Sequence, residues 1–383
     1  MLSVQPLKGV TVLEMGHSVA GPYAGLILAE MGAEVIKLEK PGDGDYARGW
    51  GPPFWKGDSA IFHGLNRNKS SISADLSDPE QADAIRNLIH ARVDVFVHNM
   101  RFGALDRLGF GARDLTAAKP DLIYCNIGAF GSKGPLKERP GYDPLMQAFS
   151  GMMSILGEDG RPPVRVGVSI IDMASGMWAA IGILAALYER QQTGKGGVVD
   201  CSLLETALAW MLNPITSYQC SGELPKRRGS SSPDIVPYQA FPVQDGYIMV
   251  AAGNDKLFRK LCEAIDLPDL ADNPKYRINK DRVVNRVELI DVLTDVFRRA
   301  PSAHWFARLD AAGIPNGPIH TVDQVVTHPQ VDALGMLQQV SGEDMRLLGL
   351  PISFDGARAP LTHVAPGIGK DNASIRLRAA SAN

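Results

Sequence analysis

Three segments near the N-terminus constrain the fold of this chain more than anything that follows. Val10–Met15 (VTVLEM) is a compact apolar run that meets Gly16 at once, residues 20–31 are helical in composition and close on Gly32, and Glu34–Leu38 (EVIKL) is a second apolar run. Strand, glycine turn, helix and strand within about 30 residues make a βαβ unit, whose two strands run parallel. The pattern recurs. Residues 79–92 have helical spacing, and Val93–Val97 (VDVFV) and Asp121–Ile127 (DLIYCNI) read as strands. A long helix is expected over 172–192 with Gly194 and Gly196 as its stop, then a strand at Val198–Leu203 and a helix from about Leu204. This alternation predicts a doubly wound, Rossmann-like α/β layer over the first 200 residues or so.

The texture changes after Cys220. Residues 221–237 (SGELPKRRGSSSPDIVP) are polar and rich in Pro, Gly and Ser, and read as a linker or mobile loop. Tyr238–Val243 and Tyr247–Ala252 flank Gln244-Asp245-Gly246, a hairpin signal, and helical patterns follow at 255–265, 286–299 and 301–312. This is a second, smaller α+β domain. The last 20 residues are polar and rich in Ala and Ser, and are expected to fray.

Composition sets the outer limits. A chain of 383 residues suggests two or three domains, or one large domain with an insertion. With 39 basic and 42 acidic residues the net charge is -3, so no global basic field attracts nucleic acid or an anionic membrane. Cys125, Cys201, Cys220 and Cys262 form no C-x-x-C pair, which removes the usual zinc and redox spacings. Scattered thiols suit a reducing compartment, and the cytoplasm is the expected location. The start MLSVQPLKGV lacks the basic and apolar regions of a secretory signal. The most apolar stretch, Met173–Tyr188, has 16 residues, short of the roughly 20 that cross a bilayer, and reads as a buried helix.

Several residues carry possible chemistry. Gly16–Pro22 (GHSVAGP) follows a strand and opens a helix, where backbone N–H groups can face an anion, although it is neither G-x-G-x-x-G nor a Walker A loop. Glu39 ends the second strand, where a dinucleotide enzyme would hold its ribose; the plainer alternative is a tight turn whose glycines serve packing. Lys40, Arg48, Lys69, Arg101 and Arg107 fall near strand ends, where ligands gather in open α/β sheets, or else are solvated surface charges. Asp172 stands among apolar residues in VGVSIIDMASGMWAA at an expected helix start. It is either an N-cap or a carboxylate nucleophile kept ionised by the helix dipole. Tyr142 and Asp143 precede PLMQAFSGM, as a core tyrosine and a cap or as site residues. Gly253 and Asn254 follow a hairpin strand, as a plain turn or a flexible loop over a site.

The chain resembles the class III CoA-transferases, the family of formyl-CoA transferase and carnitine CoA-transferase, over essentially its whole length. The resemblance rests on PLKGVTVLEM and AGP, GAEVIKLEKPGDGD, NRNKSSI, VHNMRFGALDRLGFG, LIYCNIGAFGSKGP, PGYDPLMQAFSGM, the Asp172 segment with TGKGG, VPYQAF, DGYIMVAAGN and GIPNGPI. It implies an interlocked homodimer. It also implies a large domain made of residues 1–220 and a return segment 326–383, with 221–237 as linker and 238–325 as the small domain. It places the family's catalytic aspartate on Asp172, which would form covalent anhydride and aspartyl-CoA thioester intermediates with no metal and no nucleotide cofactor. The substrates it implies are coenzyme A thioesters and small carboxylic acids. CoA contacts carry over onto His17, Val19, Ala20, Lys40, Ala74, Asn99, Met100 and Arg107. Tyr142 and Asp143 match a pair lining the acyl site, and N–H groups near Gly253 and Asn254 match an oxyanion-stabilising loop. Val19 stands where some members have Gln, and Lys40 where formyl-CoA transferase has Arg, which loses a bidentate phosphate contact.

Within the same fold, α-methylacyl-CoA racemase needs a His and an Asp on opposite faces of an α-carbon. Here Tyr142 occupies the His position, and a phenol with an ordinary pKa near 10 is a poor base, which favours transfer over racemisation. A non-catalytic CoA-binding relative is the third reading, and the retained Asp172 speaks against it. GDGDYARGWGPPF and VPYQAF look most like the dicarboxylate branch, typified by succinyl-CoA:glutarate CoA-transferase. Arg48 or the Lys226-Arg227-Arg228 tract could then pair with a distal carboxylate, or the tract is solvated loop charge.

Overall fold

The computed structural model describes residues 3–340 and 342–375. Six parallel strands form the main sheet: β1 (Thr11–Met15), β2 (Glu34–Glu39), β3 (Ser70–Ser73), β4 (Val95–His98), β5 (Ile123–Gly128) and β6 (Gly197–Ser202). Their order across the sheet is β3-β2-β1-β4-β5-β6. This is the doubly wound Rossmann order, and it reverses between β1 and β4, which leaves a crevice at the carboxyl ends of those two strands. β1 and β4 are almost entirely buried, as central strands of a sheet covered on both faces must be. Helix α1 (Ala20–Glu30) and the long helix α3 (Ile170–Thr193) pack together on the sheet, with α2 (Asp143–Phe149) and α4 (Leu203–Trp210) beside them. Gly194 stops α3 in the left-handed region, at φ 69°, a conformation that costs glycine little.

Two expectations change. Strand β3 (SSIS) went unread because it is polar: it is an edge strand. Its N–H groups are taken by the end of the chain, with Ser71 N–H donating to Asp371 and Ser73 N–H to Asn372, each at 2.9 Å. Such cover blunts an open edge. The fraying expected of the last 20 residues therefore fails up to Ile375, which is itself buried; residues 376–383 lie outside the described residues. The second change concerns α3. It has 24 residues, long and apolar enough to cross a membrane by length and composition alone. In this fold one face packs inward through Ile171, Ala179 and Ile183, while Met177, Trp178, Ile181 and Tyr188 are exposed. The helix is therefore half buried, rather than buried all round.

The chain divides into two compact units, Met1–Met152 with Arg165–Glu223 and Pro329–Asn383, and Met153–Val164 with Leu224–His328. The second unit holds a three-stranded antiparallel sheet of Tyr238–Val243, Gly246–Ala251 and Asn316–Pro318. Phe241, Ile248, Phe258, Leu293, Phe297 and Trp305 form its core. Residues 224–237 belong to this unit and are not free-standing. Val236 is buried in its core, and Arg227 donates to the carbonyls of Ser154 and Arg161, so its charge is not simply solvated.

Candidate active site

The β1–β4 crevice is built by backbone that leaves the two strands. His17 follows β1 and Asn99 follows β4, and the Asn99 amide spans the gap. Its Oδ1 accepts the His17 N–H at 3.0 Å and its Nδ2 donates to the His17 carbonyl at 2.8 Å. One side chain thus satisfies both polar groups of a residue beyond the sheet, as a further strand would. Burial holds the His17 pKa below its ordinary value, so the imidazole is neutral at pH 7. Tyr46 packs edge-on against it, ring centroids 5.3 Å apart.

From this point a cleft of about 340 Å³ opens, large enough for part of a cofactor-sized ligand. Its walls come from residues 17–20, 99–102, 126–129 and 137–142, with Asp172 and Leu203. It is polar and apolar in nearly equal parts, and Arg101, Lys137 and Arg139 supply positive charge, which suits a ligand with phosphates and an uncharged arm. Of the expected contacts, His17, Val19, Ala20, Asn99, Met100 and Tyr142 line it. Lys40, Ala74 and Arg107 stand outside its walls; Lys40 and Arg107 are exposed and Ala74 is buried. Tyr46, Lys137 and Arg139 were missed. Tyr46 opens a one-turn 3-10 helix and Lys137 and Arg139 lie in an irregular segment, and neither is long enough for periodicity to mark a side chain's direction.

Arg48 is elsewhere. It is buried, donates to Glu39 through Nε and Nη2 at 2.9 and 2.7 Å, to Asp58 at 2.8 Å and to the Pro366 carbonyl at 3.0 Å, and lies over the Phe62 ring. A guanidinium so committed does not read a substrate carboxylate. Glu39, spent on Arg48 and on the Ser71 hydroxyl, is likewise not free for a ribose, which removes the basis of the dinucleotide reading. Gly253 and Asn254 lie in the second unit, where the Asn254 side chain caps the helix Asp255–Ala264 by accepting from Leu257 N–H at 2.9 Å.

Asp172 lies in the first turn of α3 and is not its N-cap. The capping is done from α2. Asp143, almost fully buried, accepts the N–H groups of Ile171 and Asp172 on Oδ2 at 2.7 and 3.2 Å. Gln147, one turn along α2, donates to Asp143 Oδ1 at 2.5 Å and accepts the Val166 N–H at 2.8 Å. Asp143 therefore turns away from the cleft, and only Tyr142 of the expected pair reaches its wall. The Asp172 carboxylate makes no hydrogen bond among the described residues. Burial first, and the charge of Asp143 second, push its pKa up to about 7.

An open α/β sheet with a cleft at its topological switch point, cations along its walls and an unbonded carboxylate at a helix start suit a protein that binds a phosphorylated ligand there. The chain belongs to CoA-transferase family III, whose profile matches residues 7–372. It is 40% identical over 351 residues to succinyl-CoA:glutarate CoA-transferase of Homo sapiens, covering 92% of this chain and 80% of that one. It is 35% identical over 379 residues to succinate–glutarate CoA-transferase of Agrobacterium fabrum, covering 97% and 94%. A CAIB/BAIF family protein from Brucella suis, known from its crystal structure, superposes with a TM-score of 0.86 at 38% identity, covering 98% of this chain and 99% of that one.

Proposed function

We propose that this CoA-transferase moves CoA from succinyl-CoA to a dicarboxylic acid of the glutarate type through covalent intermediates on Asp172. The observation that carries the reading is the Asp172 carboxylate, set in the cleft wall with its own backbone N–H held by Asp143 and its oxygens left unbonded. An oxygen of this carboxylate attacks the thioester carbonyl, the C–S bond breaks, and a mixed anhydride and CoA thiolate result. The thiolate attacks the aspartyl carbonyl of the anhydride, which forms aspartyl-CoA thioester and releases succinate. The acceptor carboxylate then attacks that thioester, giving a new anhydride and thiolate, and thiolate attack on the acceptor's carbonyl releases acceptor-CoA and restores Asp172. Thioester free energy is kept in covalent form throughout. Anhydrides hydrolyse, so the apolar lining beside Asp172 suits the need to exclude water. Both relatives named above carry succinyl or succinate and glutarate in their names, which supports the choice of substrates.

The reading includes a homodimer, interlocked as the family resemblance implies, in the cytoplasm. Trp178, Ile181, Tyr188, Trp210 and Leu212 expose large apolar side chains on α3, α4 and the segment that follows, which supports a partner over these elements.

The test gives the purified protein succinyl-CoA with glutarate, oxalate, mesaconate, citramalate or carnitine, and follows new acyl-CoA by mass spectrometry. Transfer to glutarate and a CoA adduct on the Asp172 peptide are expected. Transfer to none of the acceptors, or full turnover by Asp172→Ala, overturns the proposal. Deuterium uptake at the α-carbon of a 2-methylacyl-CoA would move the assignment to racemisation.

A further inference from the structure

Charged residues inside buried strands need an explanation; β1 and β2 bury Glu14, Lys37 and Glu39, and Glu39 is accounted for by Arg48. Glu14 and Lys37 are register partners on these neighbouring strands, and neither is exposed. Lys37 Nζ donates to Glu14 Oε1 at 3.0 Å and to the Gly16 carbonyl at 2.8 Å, and lies 2.9 Å from Asp45 Oδ2. Three partners thus surround the ammonium group, two by hydrogen bonds and Asp45 as an ion pair. Lys69 is satisfied by Glu14 Oε2 at 2.6 Å, the Pro22 carbonyl at 2.7 Å and Asn66 Oδ1 at 2.9 Å. Asp45 Oδ1 accepts the N–H groups of Ser18 at 2.8 Å and Ala47 at 2.9 Å. None of Glu14, Lys37, Asp45 and Lys69 lines the cleft.

The cluster converges on one short stretch of backbone. Lys37 holds the Gly16 carbonyl, Asn99 holds both polar groups of His17, Asp45 holds the Ser18 N–H, and Lys69 holds the Pro22 carbonyl. Ser18 has a φ of 67°, in the left-handed region that a serine enters at a cost its surroundings must offset. Apolar residues of similar volume could fill such a site without the desolvation cost of buried charge. What they could not do is grip a carbonyl and an N–H at fixed points.

We infer that Lys37 and Asp45 are positioning residues for CoA binding: through the Gly16 carbonyl and the Ser18 N–H they hold the His17–Ala20 wall of the cleft in its ligand-ready shape before a ligand arrives. Glu14 and Lys69 brace the pair from behind. The inference rests on the assignment of this cleft to CoA. Burial by itself would lower the Lys37 pKa, but Glu14 and Asp45 outweigh it and raise it, so Lys37 stays charged at any pH used for assay, whereas burial lowers the Lys69 pKa to about 8.

The test compares KM for succinyl-CoA, the Kd for free CoA by calorimetry, and kcat. Asp45→Ala and Lys37→Gln should each raise KM and Kd about tenfold or more, with kcat within about threefold of wild type. Asp45→Asn keeps an acceptor for Ser18 and should stay within about threefold of wild-type KM. A role in stability alone would lower the active fraction, and so kcat, at unchanged KM; that result overturns the inference. Should the Ala and Gln variants not fold, amide hydrogen exchange of residues 14–22 in the wild type decides. Slow exchange without ligand, little changed by CoA, is expected, and fast exchange that slows only with CoA overturns it. Ala20→Arg, which fills the cleft, separates the two levels. If that variant still binds CoA, the cleft assignment falls and the inference with it; if it loses CoA while Asp45→Ala and Lys37→Gln keep wild-type KM, the inference alone falls.

Discussion

Asp143 holds the backbone of Asp172: its Oδ2 accepts the Asp172 N–H at 3.2 Å and that of Ile171 at 2.7 Å. The start of α3 is therefore capped by a residue 29 positions earlier, and Asp172 is relieved of the task that an aspartate at a helix start usually performs. The same contact brings a second negative charge close, which together with burial raises the Asp172 pKa to about 7. The proposed nucleophilic attack needs the carboxylate, so kcat/KM should climb as pH rises towards 7 and level off above it. Asp143→Asn removes one of the two causes and should move this limb to lower pH. A pH–rate profile from 5 to 9 for both proteins checks this, and a limb in the same place for both would contradict the electrostatic role of Asp143.

The raised pKa also has a stability consequence. Asp172 ordinarily loses its proton near pH 3.8 and in the fold near 7, so between these values the native state holds a proton that the unfolded chain does not. Stability then falls as pH rises through that window and is level above it. Asp172→Asn removes the dependence. Its Tm should gain on the wild type from pH 4.5 to pH 8, by an amount corresponding to about 1–2 kcal/mol after allowance for solvent screening of a partly exposed carboxylate, while transfer activity is lost. Differential scanning fluorimetry at both pH values reads it, and an equal Tm difference at both would show that burial does not strain the ionised form.

Much of this arrangement was legible in the residues, and the illegible part has a common cause. Periodicity marks elements that bury one face, so β1, α1, β2 and α3 were readable, whereas β3 was not: its three serines give no apolar alternation, and its outer N–H groups are satisfied by Asp371 and Asn372 some 300 positions away. Asp172 and Tyr142 were legible as candidates, and both line the cleft. The partners that make Asp172 usable were legible only in part, because the cap on Asp172 comes from a different helix. Arg48 shows the opposite error. A cation near a strand end was read as a ligand group, but Glu39 and Asp58 neutralise it. The charges within VTVLEM and EVIKLE were the overlooked signal. A charged residue inside a buried strand must have a partner, and Glu14 with Lys37 supplied one.

The amide of Asn99 can be tested by shape alone. Asn99→Ala leaves the N–H and carbonyl of His17 without partners at the edge of the cleft, each at a cost of about 1–3 kcal/mol when water does not replace the lost bond. Asn99→Asp keeps an acceptor for the N–H but sets a carboxylate oxygen against the His17 carbonyl. Both variants should weaken CoA binding, by roughly tenfold or more, and Asp should be no better than Ala despite its nearly identical size. Calorimetric titration with CoA checks the order. Binding by Asn99→Asp close to wild type would mean that the donor half of the amide is dispensable.

The second unit has its own buried charge, and removing it should be costly in a different way. Arg282 is fully buried, donates to the carbonyls of Val236 and Tyr276 at 2.7 and 2.9 Å, pairs with Asp255 at 2.7 Å, and lies 4.5 Å from the centroid of the Phe258 ring. It thereby ties the chain before the hairpin to the helix Asp255–Ala264. Arg282→Ala leaves two buried carbonyls unpaired and opens a void beside Phe258, whereas Asp255 is half exposed and can recover water. The expected loss is about 2–4 kcal/mol. Arg282→Lys reaches only one or two of the partners as a point charge and should recover part of the loss. Thermal unfolding followed by tryptophan fluorescence can resolve the effect, since Trp305 sits in the same core. A Tm for Arg282→Ala within a degree of wild type would show that these carbonyls find water as readily as they find the guanidinium.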